Sequence, residues 1–184
     1  EIFNFFKAHD DILGTFATKY VNPELLKYNP KEKIRIRFSM MPEKKRKLHE
    51  PKTSTIIERI KAIDEFKKAG YEVHLNFSPI IVYPGWRDDY EELFTLIDNN
   101  VKNIDNVFAE CIFLTHNANK HYRNIRNHPK AEKELWTPNL QENKTSQYGG
   151  CNIRYKRQYK KEFIEAFKED HDKIIPWNKI RYIF

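Results

Sequence analysis

The chain has 184 residues, 40% hydrophobic and 14% aromatic, which suits one buried core, leaves too little length for two ordinary domains and argues against intrinsic disorder. Its 33 basic side chains outnumber 26 acidic ones, a formal charge of +7 that points to a polyanionic partner, nucleic acid foremost. Two cysteines, Cys111 and Cys151, exclude a disulfide scaffold and cannot complete a cysteine-rich metal site, and no apolar run has the length of a membrane span.

The chain opens at Glu1 in an apolar-rich helical pattern with Ile2, Phe3, Phe5 and Phe6, and its only methionines are Met40 and Met41. It therefore reads as the C-terminal part of a longer protein, with no signal peptide in view. Residues 14–20 read as a short strand, and 34–40 as a strand with clear alternation. The run Lys44-Lys45-Arg46-Lys47 reads as a solvated loop. Thr53-Ser54 is the expected cap of a helix with Ile56, Ile60, Ile63 and Phe66 on one stripe, closed at Gly70. A strand over 72–78 ends at Pro79. Asp88 is the expected cap of a helix that buries Tyr90, Leu93, Phe94 and Ile97. Residues 107–113 form a further strand and 117–127 a helix, before a polar, irregular stretch over 130–147. Gly149-Gly150 introduces a strand, CNIRY. A basic amphipathic helix follows with Phe163, Ala166 and Phe167 inward, and 179–184 closes the chain as a strand. Strands alternating with helices of this length favour parallel pairing, so the class is α/β.

Parity within two strands carries more information. Ile34, Ile36 and Phe38 share one face, while Arg35, Arg37 and Ser39 share the other; Val73, Leu75 and Phe77 oppose His74, Asn76 and Ser78 in the same way. Parallel strands covered by helices on both sides are near-continuously apolar, and these are not. Either the polar face lines the lumen of a barrel-like sheet, or the sheet is antiparallel with one face in water. Lys19 sits near a strand's C-terminal end, where ligands bind in barrel and doubly wound folds. In the lumen reading, two arginines and a histidine need partners, and an anionic ligand such as a carboxylate or phosphate suits them.

From Lys144 to Lys161 the chain carries Lys144, Arg154, Lys156, Arg157, Lys160 and Lys161 with Tyr148, Tyr155 and Tyr159 interleaved and no acidic residue. Cations for phosphates and rings for stacking describe a nucleic-acid surface; a solvated helix face with ordinary tyrosines is the alternative. Cys111, in an apolar strand, reads as a buried inert thiol, and Cys151, beside glycines and cations, as one whose acidity the surroundings can raise. His116 and His121 stand at no recognised metal-ligand spacing. No nucleophile–base pair emerges from the residues themselves.

The segments TKY (18–20), RIRFSM (35–40), EPKTS (50–54) with the helix to KKAGY (67–71), FSPIIVYPGW (77–86) and QYGGCNIRY (147–155) resemble, in order and spacing, the C-terminal half of the spore photoproduct lyase family. These are radical S-adenosylmethionine enzymes, and details such as IFLTHN (112–117) and the final RYIF are similar to a subgroup found outside spore formers. The resemblance implies an α/β fold, the C-terminal part of a partial (β/α)6 barrel with a C-terminal β-hairpin and helix extension. Residues 1–130 would be the barrel portion, and 131–184 the DNA-contacting hairpin, helix and closing strand of the same domain. It implies S-adenosylmethionine as cofactor, held at Lys19, Ser39 and Ser78, the last usually alanine in the family. Arg35, Arg37 and Asn76 would line the lumen. Lys144, Tyr148, Arg154, Tyr155 and Lys156 would grip DNA, and the activity would be repair of thymine photoproducts in the cytoplasm with no membrane partner. The family's [4Fe-4S] cluster sits on a CxxxCxxC loop absent here, so the cluster and the cysteine hydrogen donor would lie before Glu1, and this portion by itself holds no metal and no catalytic residue. A non-catalytic nucleic-acid-binding module and a radical enzyme of the same fold with another substrate are the rival readings.

Overall fold

The computed structural model describes residues 1–145, 147 and 149–184. In chain order its elements are α1 (Ile2–Ala8), β1 (Gly14–Thr18), β2 (Ile34–Ser39), α2 (Glu43–His49), α3 (Ile56–Lys68), β3 (Glu72–Ile80) and α4 (Trp86–Asn100). There follow β4 (Phe108–Phe113), β5 (Thr115–Asn117), α5 (Ala118–Asn127), α6 (Pro129–Leu135), β6 (Gln141–Thr145), β7 (Cys151–Tyr155), α7 (Arg157–Ile174) and β8 (Lys179–Ile183). Strands β1, β2, β3, β4 and β8 form one sheet in that order, every neighbouring pair parallel. This is the expected α/β arrangement, and it disposes of the antiparallel alternative for the main sheet. A second, antiparallel sheet runs β5-β7-β6.

Alternation decides which face takes the helices. Ile34, Ile36 and Phe38 of β2 and Val73, Leu75 and Phe77 of β3 are buried. They belong to one apolar cluster with Ile56, Ile60, Ile63 and Phe66 of α3, Tyr90, Leu93, Phe94 and Ile97 of α4, and Phe167 of α7. Phe167 is the centre of the aromatic part, with ring centroids 5.3 to 6.2 Å from those of Phe94, Tyr90, Phe77 and Phe113.

Several local expectations need correction. The cap of α3 is Thr55, whose side chain accepts from the Glu58 amide while Glu58 returns a bond to the Thr55 amide; Ser54 instead accepts from the Val21 amide. Helix α4 starts at Trp86 behind Gly85, which has φ +79, and Asp88 lies in the first turn, where its charge suits the helix dipole. Strand β3 continues through Pro79 to Ile80. The register on β4 jumps from Phe77 to Ile80, so the proline falls where no ladder partner is required. The basic run over 44–47 is helix, not solvated loop. Lys45 lies 4.0 Å from the centroid of the Tyr83 ring, and Arg46 donates to Glu43 and to the Glu50 and Thr53 carbonyls. The stretch 130–147 likewise contains α6, with Pro129 in its first turn, and β6, whose polar side chains are carried by a backbone ladder to β7.

Phe167→Ala removes the ring on which α4, α7 and the sheet converge. We expect a loss of about 3–5 kcal/mol, read as a lower urea midpoint at unchanged slope. A loss below about 1 kcal/mol would show that the cluster does not organise the core.

Candidate functional site

The polar face of the sheet is a set of paired charges. Parallel register sets Arg35 beside Glu72, Arg37 beside His74 and Asn76 beside Glu110. Arg35 Nε lies 2.8 Å from Glu72 Oε1, and Arg37 Nη1 lies 2.7 Å from Glu110 Oε2, across the intervening strand. The Tyr182 hydroxyl also donates to Glu110, and His74 Nε2 lies 2.6 Å from Glu72. Burial by itself would raise both carboxyls, yet the arginines and the other donors hold them below the ordinary range. Arg35, Arg37 and Asn76 therefore do share one face. The anionic ligand expected for the two arginines and the histidine is not needed, because Glu72 and Glu110 already supply the counter-charge. Glu72 was legible by parity with His74 and Asn76, and Glu110 was the one charge in an apolar strand.

At the C-terminal ends of the strands lies a cavity of about 650 Å³. Lys19, Glu50, Ser78 and Ile81 line one side, and His116, Lys120, Asn124 and Glu132 the other. The Lys19 side chain is 44% exposed, and its Nζ lies 2.6 Å from Oε1 of Glu50, which is 4% exposed. The other Glu50 oxygen takes Arg59 Nη2 at 2.9 Å, and Arg59 Nη1 donates to the Ser39 carbonyl at 2.8 Å. Arg59 is fully buried and is held below its ordinary range by burial, with Glu50 opposing that shift. It also donates to the Ser54 carbonyl and the Thr53 hydroxyl. The structure thus brings Lys19 and Ser78 to one cavity. Ser39 stands outside its wall and reaches Lys19 only through Arg59 and Glu50. Sequence reasoning missed both relay residues: Glu50 lay within the EPKTS segment, and Arg59 looked like a surface residue of an amphipathic helix.

A second buried carboxylate organises the opposite wall. Glu132, 2% exposed, takes His121 Nδ1 at 2.6 Å, Asn124 Nδ2 at 2.9 Å and Trp136 Nε1 at 3.0 Å. His116 Nε2 lies 3.2 Å from the same carboxylate. The two histidines set aside for their spacing are partners of one glutamate, a relation that α6 creates and that no local pattern shows. Among the described residues, no three His, Cys, Asp or Glu side chains gather so as to hold a metal ion. Cys111 is fully buried, and burial pushes its thiol well up, which keeps it protonated.

In the antiparallel sheet, Arg154 donates twice to Glu142 on the neighbouring strand, and Lys156 donates to the Asn139 carbonyl. Lys144 is exposed on β6. Tyr155 corrects the expectation of a stacking ring: it is 1% exposed, packs on Phe113 and Phe163, and its hydroxyl accepts from the Val82 amide at 2.8 Å. Period-2 alternation turns Tyr155 inward as it turns Arg154 outward. Tyr148 lies outside the described residues.

Three comparisons bear on this geometry. A family model described as spore photoproduct lyase matches residues 1–184. The spore photoproduct lyase of Bacillus subtilis is 29% identical over 172 residues, covering 91% of this chain and 49% of that protein. That of a Geobacillus species is 25% identical over 170 residues, covering 91% of this chain and 50% of that protein. The chain therefore spans about half the length of these curated relatives. Among solved structures, a spore photoproduct lyase mutant with bound AdoMet and dinucleoside spore photoproduct superposes with a TM-score of 0.88 at 23% identity, over 100% of this chain and 54% of that one. A spore photoproduct lyase complexed with dinucleoside spore photoproduct gives the same values. At that identity, these likenesses establish the fold.

The buried acids and histidines set the acid limit of the fold. His49, His74 and His116 are held below the ordinary imidazole value of 6.5, chiefly by burial. The unfolded chain takes up those protons more readily, so this part of the stability is whole above 6.5 and lost as pH falls below it. Glu72, Glu110 and Glu132 sit below 4.5 despite burial, because their hydrogen bonds outweigh it; their contribution is whole above 4.5 and lost as pH falls through the folded values. The urea midpoint should fall in two stages on acidification from neutral pH, and Glu132→Gln should weaken the lower stage while costing about 1–3 kcal/mol at neutral pH. A midpoint that rises on acidification, or a Glu132→Gln curve parallel to the wild type throughout, contradicts this account.

Proposed function

The chain belongs to the spore photoproduct lyase family, and from that membership we propose that it is part of a radical S-adenosylmethionine enzyme that reverses a thymine photoproduct in DNA. The observation that carries the proposal is the cavity shared by Lys19, Glu50 and Ser78 at the C-terminal ends of parallel strands. Its volume suits a nucleoside-sized ligand. A half-exposed ammonium and a buried carboxylate side by side match the carboxylate and amino group of a methionine end. Among the described residues Glu50 Oε1 has no partner beyond Lys19, so it has capacity for an incoming donor. Apolar residues such as Ile81 and Leu114 give the remainder of the cavity a dry wall. These features fit the cofactor, with Lys19 and Glu50 as its charge partners, Ser78 beside them, and Ser39 acting through Arg59.

Bound with a reduced iron–sulfur cluster, S-adenosylmethionine supplies a carbon radical able to take a hydrogen atom from the lesion. This chain's residues orient it: Glu50 and Arg59 fix Lys19, while His116, Asn124 and Glu132 line the cavity beyond them. The cluster itself does not fit here. It needs three thiolates, whereas the chain has two cysteines, Cys111 buried in β4 and Cys151 on β7 of the other sheet. We place its ligands, and the hydrogen donor, outside these 184 residues, in keeping with the half-length match to the relatives. The surplus charge and the cations Lys144, Arg154 and Lys156 support DNA as the partner. Among the described residues no helix is long and apolar enough to cross a membrane, and repair of DNA assigns the protein to the cytoplasm.

The test is anaerobic reconstitution of the full-length protein with a dinucleoside spore photoproduct, following thymidine formation and cofactor cleavage together. Lys19→Ala should weaken cofactor binding about tenfold or more by titration, the loss of one charge-assisted contact, without unfolding the chain. Glu50→Gln should in addition destabilise the fold by about 3–5 kcal/mol, because Arg59 is left buried without its counter-charge. Undiminished cofactor binding by Lys19→Ala overturns the site. Cofactor cleavage with an untouched photoproduct turns the reading to another substrate, and absence of both activities to a binding module.

A further inference from the structure

Three cations converge on a second, smaller pocket of about 250 Å³ between the hairpin sheet and α7. Register explains why. Lys144 stands opposite Asn152, and Thr115 opposite Arg154, so alternation places these four on one face, while Tyr155, Phe113, Leu114 and Phe184 complete the lining of the pocket with mainly apolar surface. Lys160 joins them from the start of α7, whose first turn carries no acidic residue. Arg154 has Glu142 as its counter-charge. Neither Lys144 nor Lys160 has a carboxylate partner among the described residues. The Lys160 ammonium is held below its ordinary range, first by burial and then by the nearby charges of Arg154 and Lys144. Three positive groups held together against one carboxylate repel each other, and an anion between them relieves the repulsion. Its two lysines and one arginine, with the Thr115 and Asn152 side chains, suit a tetrahedral oxyanion.

The pocket's position says which anion. Phe113, Leu114 and Thr115 line both this pocket and the 650 Å³ cavity, so the two adjoin at the corner between β4 and β5. We propose that Lys144, Arg154 and Lys160 seat a single backbone phosphate of a nucleic-acid strand, adjacent to the nucleotide that enters the larger cavity. The inference rests on the repair reading above for the identity of the strand, and on the pocket for the seat itself.

A linkage scan tests it. Oligonucleotides carrying one neutral methylphosphonate at successive positions are titrated against the wild-type protein, Lys160→Ala and Lys160→Arg, both on undamaged single strands and on strands with the photoproduct. Lys160→Ala should weaken binding about tenfold, with Lys160→Arg close to wild type. At one linkage only, the methylphosphonate should cost the wild type a similar factor and cost Lys160→Ala nothing further, the mark of two changes at a single contact. Penalties that multiply at every linkage overturn the seat. Inorganic phosphate that binds the wild type and not Lys160→Ala in a direct titration, together with no coupled linkage, assigns the pocket to free phosphate and also overturns it. Coupling on undamaged strands without turnover of the photoproduct keeps the seat and removes the repair reading; turnover without coupling does the reverse.

Discussion

Charge pairing across a parallel sheet is the constraint on which this molecule depends. A strand that packs helices on one face and carries arginine on the other has to find carboxylates within reach, since an unpaired buried charge is very costly. Arg35 finds Glu72 on the neighbouring strand, and Arg37 reaches over β3 to Glu110, which also receives Tyr182 from β8. Such pairs add little net stability over apolar residues of the same volume. Their consequence is register: a slip of one residue would turn Arg37 into the helix layer and Phe38 away from it. Because this face is internally balanced, the chain's positive excess is expressed elsewhere, and β6, β7 and the start of α7 are where it gathers.

The same rule builds the cofactor-side wall. Arg59 is fully buried and held by the Ser39 and Ser54 carbonyls, the Thr53 hydroxyl and Glu50. With four acceptors, one at the end of β2 and three on the segment 50–54, its guanidinium is held on several sides, and it holds Glu50 in turn. Lys19 is exposed, while the Glu50 and Arg59 side chains behind it are buried. An exposed charge on a rigid buried base is preorganised for a ligand, since little further ordering is required on binding. Glu132, itself on α6, performs the corresponding task for the second cluster, tying His116 of β5, His121 and Asn124 of α5, and Trp136 just after α6 to one carboxylate. Both walls are therefore set by buried glutamates whose donors come from residues far apart in the chain or on separate helices.

What the sequence shows and hides follows from that distinction. Ile34, Ile36 and Phe38 announce a strand, and Ile56, Ile60, Ile63 and Phe66 a helix, because burial imposes a period that is visible locally. The polar faces of β2 and β3 were legible for the same reason. Helix α2 was not, because Lys45 is held by the ring of Tyr83 and Arg46 by carbonyls beyond the helix end, contacts that exist only after folding. Strand β6 has no apolar face at all and owes its conformation to β7. Among the site residues, Lys19 and Ser78 were placed by strand ends and by family resemblance, whereas Arg59 fell within an expected helix with no sign of its burial, and Glu132 in a stretch read as irregular. Tyr155 misled in the opposite sense: set among cations it resembles a stacking residue, and only the parity of β7 reveals that it points into the core.

That inward tyrosine has a mechanical consequence. Its hydroxyl accepts from the Val82 amide, just beyond the end of β3, the strand that carries Ser78. The next residue, Lys156, donates its amide to the Leu140 carbonyl at the foot of β6. The hairpin sheet is thus clamped to the segment that follows β3, and the β4–β5 corner from Phe113 to Thr115 is shared by the two cavities. A group bound among the hairpin cations and one bound beside Lys19 would both rest against the same three residues, Phe113, Leu114 and Thr115, so the spacing of the two is tied to that corner of the fold.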